Sequence, residues 1–389
     1  MKLKPFEHAG LSSLSEVSLE QEAEAVIEEA RRRQRRRHGT IAAILALVAA
    51  ATFVVLGGGA ESHGPRGSEA ADSARPTSSG PPPPGNAIVF AKATSDGLDA
   101  RIEIAYVPAS GGAIVSLTEA STHGMVAAEP RWSPDGSRIT FVMSLRGHLT
   151  RWAGDGDIYV MNADGTRIRE LTHGLDASGP AWSPDGSQIA FIKGQGQALA
   201  VMHADGSHQH VIATGRGYYE APAWSPNGRA IVYVSGPDWS ADAIFTIHPD
   251  GTGERQLTPR SGSSPPGSPV WSPDGSRIAY VWSGPRRAIS RDTRLWIMNS
   301  DGTDAHPVTA CRFPTPHASS EPSSACLSDA APAWSPTGKD LVFLREQEHR
   351  LASHGYFNSS RLYVLKLSTG KVRALTPETR WAESPDWRP

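Results

Sequence analysis

Short apolar segments recur along residues 87–389, and each is bounded by turn-forming residues. The segment 180–191 reads Pro-Ala-Trp-Ser-Pro-Asp-Gly-Ser-Gln-Ile-Ala-Phe, and near-copies begin at Pro130, Pro222, Pro269 and Pro332. A second phrase, Ile-Tyr-Val-Met-Asn-Ala-Asp-Gly-Thr at 158–166, lies between successive copies. Apolar runs of this length separated by Pro-Asp-Gly and Asp-Gly sequences predict β-strands joined by tight hairpins, because proline and glycine supply the backbone angles of such turns.

Each repeat contains four predicted strands, A to D, and the tryptophan lies in strand A. Complete units occur at Trp132, Trp182, Trp224, Trp271 and Trp334. Residues 87–91, 103–107 and 113–117 fit strands B, C and D without a strand A, whereas 383–387 fit a strand A with nothing after it. A repeat of roughly 40–50 residues indicates a propeller or a solenoid, and an open ring would expose two sheet edges. We therefore predict an all-β, six-bladed β-propeller that is closed by the C-terminal strand.

The motifs Trp-Ser-Pro-Asp-Gly at 182–186 and Asn-x-Asp-Gly-Thr at 162–166 resemble the repeats of the TolB-like, WD-repeat-like β-propeller family. The resemblance covers about 87–389. It implies a propeller that contacts other proteins of the cell envelope, although many propellers with different functions share these motifs. In that family an N-terminal α/β domain precedes the propeller, and residues 1–86 are too short and too simple to form one.

The first 86 residues divide into three segments. Residues 1–39 predict a charged cytoplasmic tail that is rich in arginine at 31–37. Residues 40–60 predict a transmembrane helix, since the uncharged run from Ile41 to Leu56 with the glycines after it spans a hydrocarbon core of ~30 Å. The arginines on its N-terminal side orient the propeller outside the cell membrane. A cleaved signal peptide is the alternative, but a charged region of this length favours a single-pass anchor.

Residues 61–86 are rich in Pro, Gly and Ser, which predicts a linker that holds the propeller away from the membrane. The formal net charge of the whole chain is −2. This charge excludes the strongly basic face that nucleic-acid binding requires. The sequence contains no Gly-x-Ser-x-Gly nucleophile elbow. We therefore expect a protein that is not an enzyme, has no cofactor and binds no nucleic acid.

The connections B–C and D–A vary in length, and the alternation of strand direction places them on one face of the propeller. We name this face, formed by 144–156, 215–220, 235–242, 282–293, 310–331 and 345–360, the variable-loop face. Arg, Trp and Tyr dominate protein interfaces, and binding residues collect on loops. The candidate binding residues on this face are Arg151, Trp152, Tyr218, Tyr219, Trp239, Arg286, Arg287 and Tyr356. The predicted partner is an envelope protein, peptide or glycan; alternatively, these side chains only pack the loops.

Acidic residues lie three to five positions before four of the strand-A tryptophans: Glu129, Glu220, Asp329 and Glu383. These residues either bind a cation or only form a solvent-exposed, charged rim. Their distance from the tryptophan varies between repeats, which favours the solvent-exposed rim. We interpret His203, His208 and His210 as surface residues. The alternative function is a small-molecule hydrolase or lyase with a metal-assisted site at the channel mouth. A third possibility is a sensor that signals to the arginine-rich tail.

The chain has two cysteines, Cys311 and Cys326, in one predicted D–A loop. Disulfides form in extracytoplasmic compartments, and closing a loop of about 16 residues stabilises a fold by ~3 kcal/mol in the chain-entropy model. We predict a disulfide bond between them. The alternative is two free thiols.

Overall fold

The computed structural model describes most of the region that carries the repeats. The described residues are 83–93, 102–118, 125–145, 156–215, 217–237, 242–260, 266–283, 293–309, 325–350, 356–377 and 382–389. The predicted tail and transmembrane helix, and almost all of the predicted linker, lie outside them. Within those residues no helix is long and apolar enough to cross a membrane.

The described strands form six antiparallel sheets of four strands each, and each sheet is one blade. In blade 1 the strands, from the innermost outward, are β24 (Ala382–Trp387), β1 (Ala87–Ala93), β2 (Ile102–Pro108) and β3 (Val115–Ser116). In blade 2 they are β4 (Met125–Trp132), β5 (Arg138–Leu145), β6 (Gly156–Asn162) and β7 (Arg169–Glu170). In blade 3 they are β8 (Ser178–Trp182), β9 (Gln188–Lys193), β10 (Ala198–His203) and β11 (His210–Thr214).

The remaining three blades follow the same order from strand A to strand D. Blade 4 contains β12 (Tyr218–Trp224), β13 (Ile231–Gly236), β14 (Ala243–Ile247) and β15 (Arg255–Gln256). Blade 5 contains β16 (Gly267–Trp271), β17 (Arg277–Trp282), β18 (Arg294–Asn299) and β19 (His306–Pro307). Blade 6 contains β20 (Ala325–Trp334), β21 (Asp340–Arg350), β22 (Tyr356–Lys366) and β23 (Lys371–Ala374).

The last strand closes the ring, as the sequence predicts. Strand β24 pairs antiparallel with β1, with Trp387 opposite Ile88 and Glu383 opposite Ala91. The Trp387 indole Nε1 donates a hydrogen bond to Asn86 Oδ1 at 2.7 Å. Blade 1 therefore contains the two ends of the repeat region. The six-bladed architecture with C-terminal closure is confirmed.

The hydrophobic core lies between neighbouring blades. Strand B of every blade carries a buried aromatic residue with essentially no exposed surface: Phe90, Phe141, Phe191, Tyr233, Tyr280 and Phe343. Side chains on the two faces of these central strands pack against the blades on either side, so each interface resembles the core of a sheet-on-sheet sandwich. This packing explains why the motif Ile-Ala-Phe recurs in strand B.

The Ser-Pro-Asp-Gly turn between strands A and B forms a local hydrogen-bond network. In blade 5, Ser272 Oγ donates to Asp274 Oδ1 at 2.6 Å, and the same carboxylate oxygen accepts the Ser276 N–H at 3.0 Å. Gly275 takes the positive φ of 71° that the turn requires. These hydrogen bonds lower the pKa of Asp274 to about 2. The turn is therefore held by an ionised aspartate.

The predicted loops differ most from the structure in three places. The segments 215–220, 310–331 and 345–360 each contain strand residues, because β12 begins at Tyr218, β20 begins at Ala325 and β21 runs to Arg350. Strands β21 and β22 pair along their full length, from Asp340 opposite Lys366 to Arg350 opposite Tyr356. Backbone pairing continues the ladder where the sequence lacks an apolar pattern, so part of the variable-loop face is formed by an extended hairpin.

Candidate functional site: an acidic central channel

The innermost strand of every blade contains the same irregularity. The residue before its proline has a positive φ of 46–62°, and the pairing register with strand B shifts there. These six residues are Glu129, Gly179, Ala221, Ser268, Ala331 and Ser384. A left-handed residue before proline is unfavourable, yet the β-bulge recurs in all six blades. The bulges turn this part of each innermost strand into the wall of a central channel.

All six innermost strands line one channel with a volume of about 840 Å³. The strand-A tryptophans surround it: Trp132, Trp182, Trp224, Trp271, Trp334 and Trp387. Strand A starts after the D–A connection and ends at the tryptophan, so the tryptophans lie toward the A–B turns. The residues that precede them lie toward the variable-loop face. The channel lining also includes Gln195 and Gly196 from the B–C connection of blade 3.

Three carboxylates and a single arginine line the half of the channel nearer the variable-loop face. The lining residues in this group are Glu129, Arg131, Glu220 and Asp386. These carboxylates belong to blades 2, 4 and 1, and Asp386 lies on the closing strand β24, which also carries Glu383. At the position immediately before the tryptophan, the other four blades carry Ala181, Ala223, Val270 and Ala333. The charged side chains therefore come from blades 1, 2 and 4 of an otherwise mainly apolar ring.

The surrounding protein raises the pKa of Glu129 and Asp386 in the channel wall and of Glu383 on the same closing strand as Asp386. Burial in the channel raises the pKa of Glu129, against the lowering effects of the Gly179 N–H, which donates to Glu129 Oε2 at 2.6 Å, and of Arg131. Burial and then the neighbouring Glu129 raise the pKa of Glu383 to about 8, and Arg131 opposes them. Burial also raises the pKa of Asp386, although Arg131 and backbone N–H groups oppose it. The channel therefore disfavours the full negative charge that these groups carry in water.

Arg131 is the cation among these carboxyl groups. Its Nη1 donates to the carbonyl oxygens of Pro130 at 2.8 Å and Ser384 at 3.2 Å. Its charge lowers the pKa of Glu129, Glu383 and Asp386. One guanidinium balances one carboxylate, so an added cation would be attracted to this part of the channel.

The acidic rim predicted from the sequence is partly brought together. Glu129 and Glu220 line the channel, but Glu383 and Asp329 are not among its lining residues. Asp329 is fully buried and accepts two hydrogen bonds from Arg345, at 2.6 and 3.0 Å, so it forms an ion pair within blade 6. The sequence analysis did not select Arg131 and Asp386. The sequence feature that could have identified them is a charged residue immediately before the strand-A tryptophan, where the other four repeats carry an apolar residue.

Most of the candidate binding residues on the variable-loop face lie outside the described residues: Arg151, Trp152, Trp239, Arg286 and Arg287. Tyr218 and Tyr356 are the first residues of β12 and β22 rather than loop residues. Tyr219 lies within β12, is 1% exposed and stacks on Tyr233 with a distance of 5.8 Å between ring centroids. The expectation that Tyr219 projects from a loop is wrong, because the strand begins earlier and directs its ring into the core.

Three further sequence predictions concern histidines and cysteines. His203, His208 and His210 are exposed, and the rings of His203 and His208 stack with centroids 4.3 Å apart. In the part of the chain that the structure describes, no three His, Cys, Asp or Glu side chains are arranged to hold a metal ion. Cys326 lies in β20 opposite Gln347, and Cys311 is outside the described residues. The disulfide stays a prediction.

The ring of six blades around a lined channel defines a six-bladed β-propeller, and comparisons with known proteins agree. A family model described as the TolB beta propeller domain matches residues 115–323, which is more than half of the 389 residues. The chain therefore belongs to the TolB β-propeller family. No curated protein shows a significant match to it.

Several solved structures are similar to this chain. TolB from Acinetobacter baumannii is 18% identical with a TM-score of 0.57, and the match covers 78% of this chain and 67% of that chain. The putative TolB from Agrobacterium tumefaciens is 18% identical with a TM-score of 0.51, over 75% of this chain and 88% of that chain. A chain of the nidogen/laminin complex is 13% identical with a TM-score of 0.54, and the match covers 78% of this chain and 98% of that chain. At these identities the likeness shows the fold.

Proposed function

We propose that this chain is a membrane-anchored, extracytoplasmic β-propeller that acts as a non-catalytic binding platform in the cell envelope. Its partner is a protein or peptide, which inserts a positively charged group into the acidic half of the channel and contacts the variable-loop face around it. The observation that carries the proposal is the presence of Glu129, Glu220 and Asp386, together with Arg131, in the wall of a channel of about 840 Å³.

The shape and charge of the channel support a peptide-sized ligand. Pockets that bind small ligands or side chains measure about 300–1,000 Å³, are mostly apolar and carry a few polar groups that fix orientation. Here the apolar wall is formed mainly by alanines, valine, prolines and tryptophans, and the polar groups are three carboxylates, one arginine, one glutamine and several serines. A lysine or arginine side chain suits this combination, because its aliphatic part packs on apolar surface while its charge meets a carboxylate.

Membership of the TolB family and the sequence of residues 1–86 support the envelope location. The apolar run from Ile41 to Leu56, preceded by arginines, has the length and charge pattern of a single-pass anchor with its N-terminus in the cytoplasm. The structurally similar chain from the nidogen/laminin complex belongs to an assembly of two proteins. A propeller outside the membrane, lifted by the 61–86 linker, is placed to meet such a partner.

The test uses the full-length chain and a pair of fluorescent peptides that differ only in charge. One peptide carries a central lysine, and the other carries acetyl-lysine, which keeps most of the shape but removes the charge. We expect the lysine peptide to bind more tightly by fluorescence anisotropy, and the preference to weaken as the salt concentration rises. The variant Glu220→Gln should reduce the preference, because it removes a carboxylate that lines the channel.

A matched control is Asp274→Asn, which alters an acidic residue at an A–B turn outside the acidic group. This variant should bind both peptides as the unmodified chain does. Equal affinity for the two peptides, or an unchanged preference in Glu220→Gln, would contradict the proposal. Turnover of a small molecule that requires an added divalent metal would instead favour the hydrolase or lyase alternative.

A further inference from the structure

Two histidines of blade 3 lie against each other at the turn between its strands C and D. His203 is the last residue of β10, and His208 lies two positions before β11 begins. Both side chains are exposed, and their ring centroids are 4.3 Å apart with 29° between the ring planes. What such a pair can bind depends on which of its ring nitrogens carry hydrogen.

Hydrogen bonds determine which nitrogen of each ring carries the hydrogen. Ser207 Oγ donates its only hydrogen to Asp205 Oδ1 at 2.6 Å, and the bonds from Ser207 lower the pKa of this carboxyl group. Toward the rings, Ser207 Oγ can therefore only accept. It lies 3.4 Å from His203 Nδ1 and 3.0 Å from His208 Nδ1, so both Nδ1 atoms are donors. Each Nε2 of the neutral rings is left with a lone pair.

The corresponding turns of blades 2 and 5 support this assignment. Each has an asparagine at the position of His203 and a threonine at that of Ser207. Asn162 Nδ2 donates to Thr166 Oγ1 at 2.9 Å, and the equivalent pair in blade 5 has the same distance. Both threonine hydroxyls donate in turn to an aspartate at 2.6 Å. The hydroxyl of this turn thus accepts a hydrogen bond from the first residue, as Ser207 does.

Blade 4 has one histidine at this turn and no room for a second ring. His248 occupies the position of His203, with its Nδ1 3.2 Å from Thr252 Oγ1. Gly253 replaces His208, and a Cβ added to it would lie 2.6 Å from His248 Cε1. Among the C–D turns that the structure describes, the stacked pair therefore occurs in blade 3 alone.

We propose that His203 and His208 bind a divalent transition-metal ion of the group Ni²⁺, Cu²⁺ and Zn²⁺ through their two Nε2 atoms. Imidazole nitrogen suits these ions, and a ligating histidine almost always donates its other ring N–H to an acceptor, as both do here to Ser207. Bond lengths of about 2.0–2.1 Å set two tetrahedral ligand nitrogens about 3.4 Å apart. The ring centroids are 4.3 Å apart, so a small tilt brings both Nε2 atoms to one ion.

The groups around the pair favour nitrogen-binding ions over calcium or magnesium. Asp205 Oδ1 accepts hydrogen bonds from Ser207 Oγ and the Ser207 N–H, and Arg169 Nη1 donates to the Asp205 carbonyl at 2.8 Å. The two charges offset each other, and Ca²⁺ and Mg²⁺ require several oxygen ligands. In the part of the chain that the structure describes, no third His, Cys, Asp or Glu completes a ligand set. Water therefore fills the remaining coordination positions.

Titration of the full-length chain with Zn²⁺ by calorimetry and with Cu²⁺ by electron paramagnetic resonance tests the site. We expect the unmodified chain to bind both ions and the Cu²⁺ spectrum to show nitrogen ligands. His203→Asn repeats the turn of blades 2 and 5, so it removes one ligand and keeps the hydrogen bond of the turn. It should lower the affinity by more than the ~10–100-fold that loss of a ligand's hydrogen-bond partner costs, and His208→Asn should do the same.

The matched control is His248→Asn, which makes the same exchange at the single ring of blade 4. This variant should bind both ions as the unmodified chain does. Ser207→Ala keeps both ligands but removes the acceptor of their Nδ1–H groups, so we expect it to lower the affinity by about 10–100-fold.

Three results would overturn the metal site. The first is a failure of the unmodified chain to bind either ion, a measurement that needs no variant. The second is an affinity that stays the same in His203→Asn and His208→Asn. The third is a loss in His248→Asn as large as that in His203→Asn. The histidine pair is not part of the channel wall, so none of these results bears on the proposed function.

Discussion

At the scale of single residues, the aspartate of the A–B turn combines three hydrogen bonds in a very short segment. Asp274 accepts hydrogen bonds from Ser272 Oγ, Ser276 N and Ser276 Oγ. In blade 4 an asparagine, Asn227, accepts the equivalent bonds from Ser225 Oγ at 2.8 Å and from Arg229 N at 3.0 Å. The chain itself thus shows that a neutral oxygen in the same place is sufficient for the turn.

This comparison predicts the relative effects of substitutions at the turn on the free energy of unfolding. Asp274→Ala should lower the free energy of unfolding by about 1 kcal/mol, because it removes the acceptor of these bonds. Asp274→Asn should lower it much less, since its amide oxygen can accept as that of Asn227 does. Chemical denaturation of both variants measures the difference. A loss that is equal for alanine and asparagine would show that the carboxylate charge, rather than the acceptor oxygen, holds the turn.

The glycine of the Asp-Gly turn between strands C and D has a different role, because it packs against the preceding blade. A Cβ added to Gly302 would lie 2.7 Å from the Leu257 carbonyl oxygen, and its φ is +87°. Gly206 and Gly251 approach the carbonyl oxygens of Leu171 and Ile212 in the same way. The Asp-Gly motif is thus kept by contact between blades as well as by the turn itself.

Substitution by alanine separates these two requirements. Gly302→Ala combines backbone strain with a clash against backbone, so we expect a loss of stability of about 2 kcal/mol or more. Gly370→Ala is the matched control, because its φ of +66° is also strained but nothing lies within 4 Å of the added Cβ. It should cost about 1 kcal/mol. Thermal unfolding followed by circular dichroism compares them, and equal losses would argue against the contact between blades.

At the scale of elements, the strands that repeat were predictable and those that depart from the repeat were not. Strands A to D could be assigned because several copies of each show which positions stay apolar and which glycines stay fixed. Residues 345–350 read Arg-Glu-Gln-Glu-His-Arg, without an apolar residue, yet they continue β21. Their strand conformation comes from pairing with β22, which a local pattern cannot reveal.

The closing strand allows a test that distinguishes it from the innermost strand of an ordinary blade. Trp387 is 8% exposed and packs in a cluster with Ile88 and Phe90 of β1. Trp387→Ala should lower the free energy of unfolding by about 3–5 kcal/mol. It should also make 382–389 accessible to proteases before the rest of the propeller, because β24 joins its blade by pairing with β1 and is not connected to it by a hairpin.

The equivalent substitution in blade 6, Trp334→Ala, is the control for that experiment. It should reduce stability by a similar amount, since Trp334 is 7% exposed, but its strand is held by chain on both sides. Limited proteolysis followed by mass spectrometry locates the first cleavage in each variant. Early cleavage near the C-terminus in both variants, or in neither, would contradict a special role for closure by β24.

At the scale of the whole molecule, the ring was predictable but its charged site was only partly so. The incomplete first unit and the lone final strand are complementary, and closure follows from that. The site depends on which residues the closure brings together. Trp132 N–H and Asp386 form a hydrogen bond although they are 254 positions apart in sequence. No local sequence pattern encodes that contact. The ion pair between Asp329 and Arg345, which holds Asp329 inside blade 6, could not be predicted from a local pattern either.

The two cysteines link the fold to its cellular location. Cys326 lies near the start of β20, and Cys311 precedes it in the same D–A connection. If the propeller is exported, as the anchor and arginine pattern predict, oxidation of this pair is favoured, whereas the cytoplasm would keep both thiols reduced. We expect chain purified from membranes without reductant, then denatured, to show no thiol that reacts with Ellman's reagent. Two reactive thiols per chain would contradict the disulfide, and the Cys311→Ser variant, which leaves Cys326 unpaired, is the positive control for detecting one.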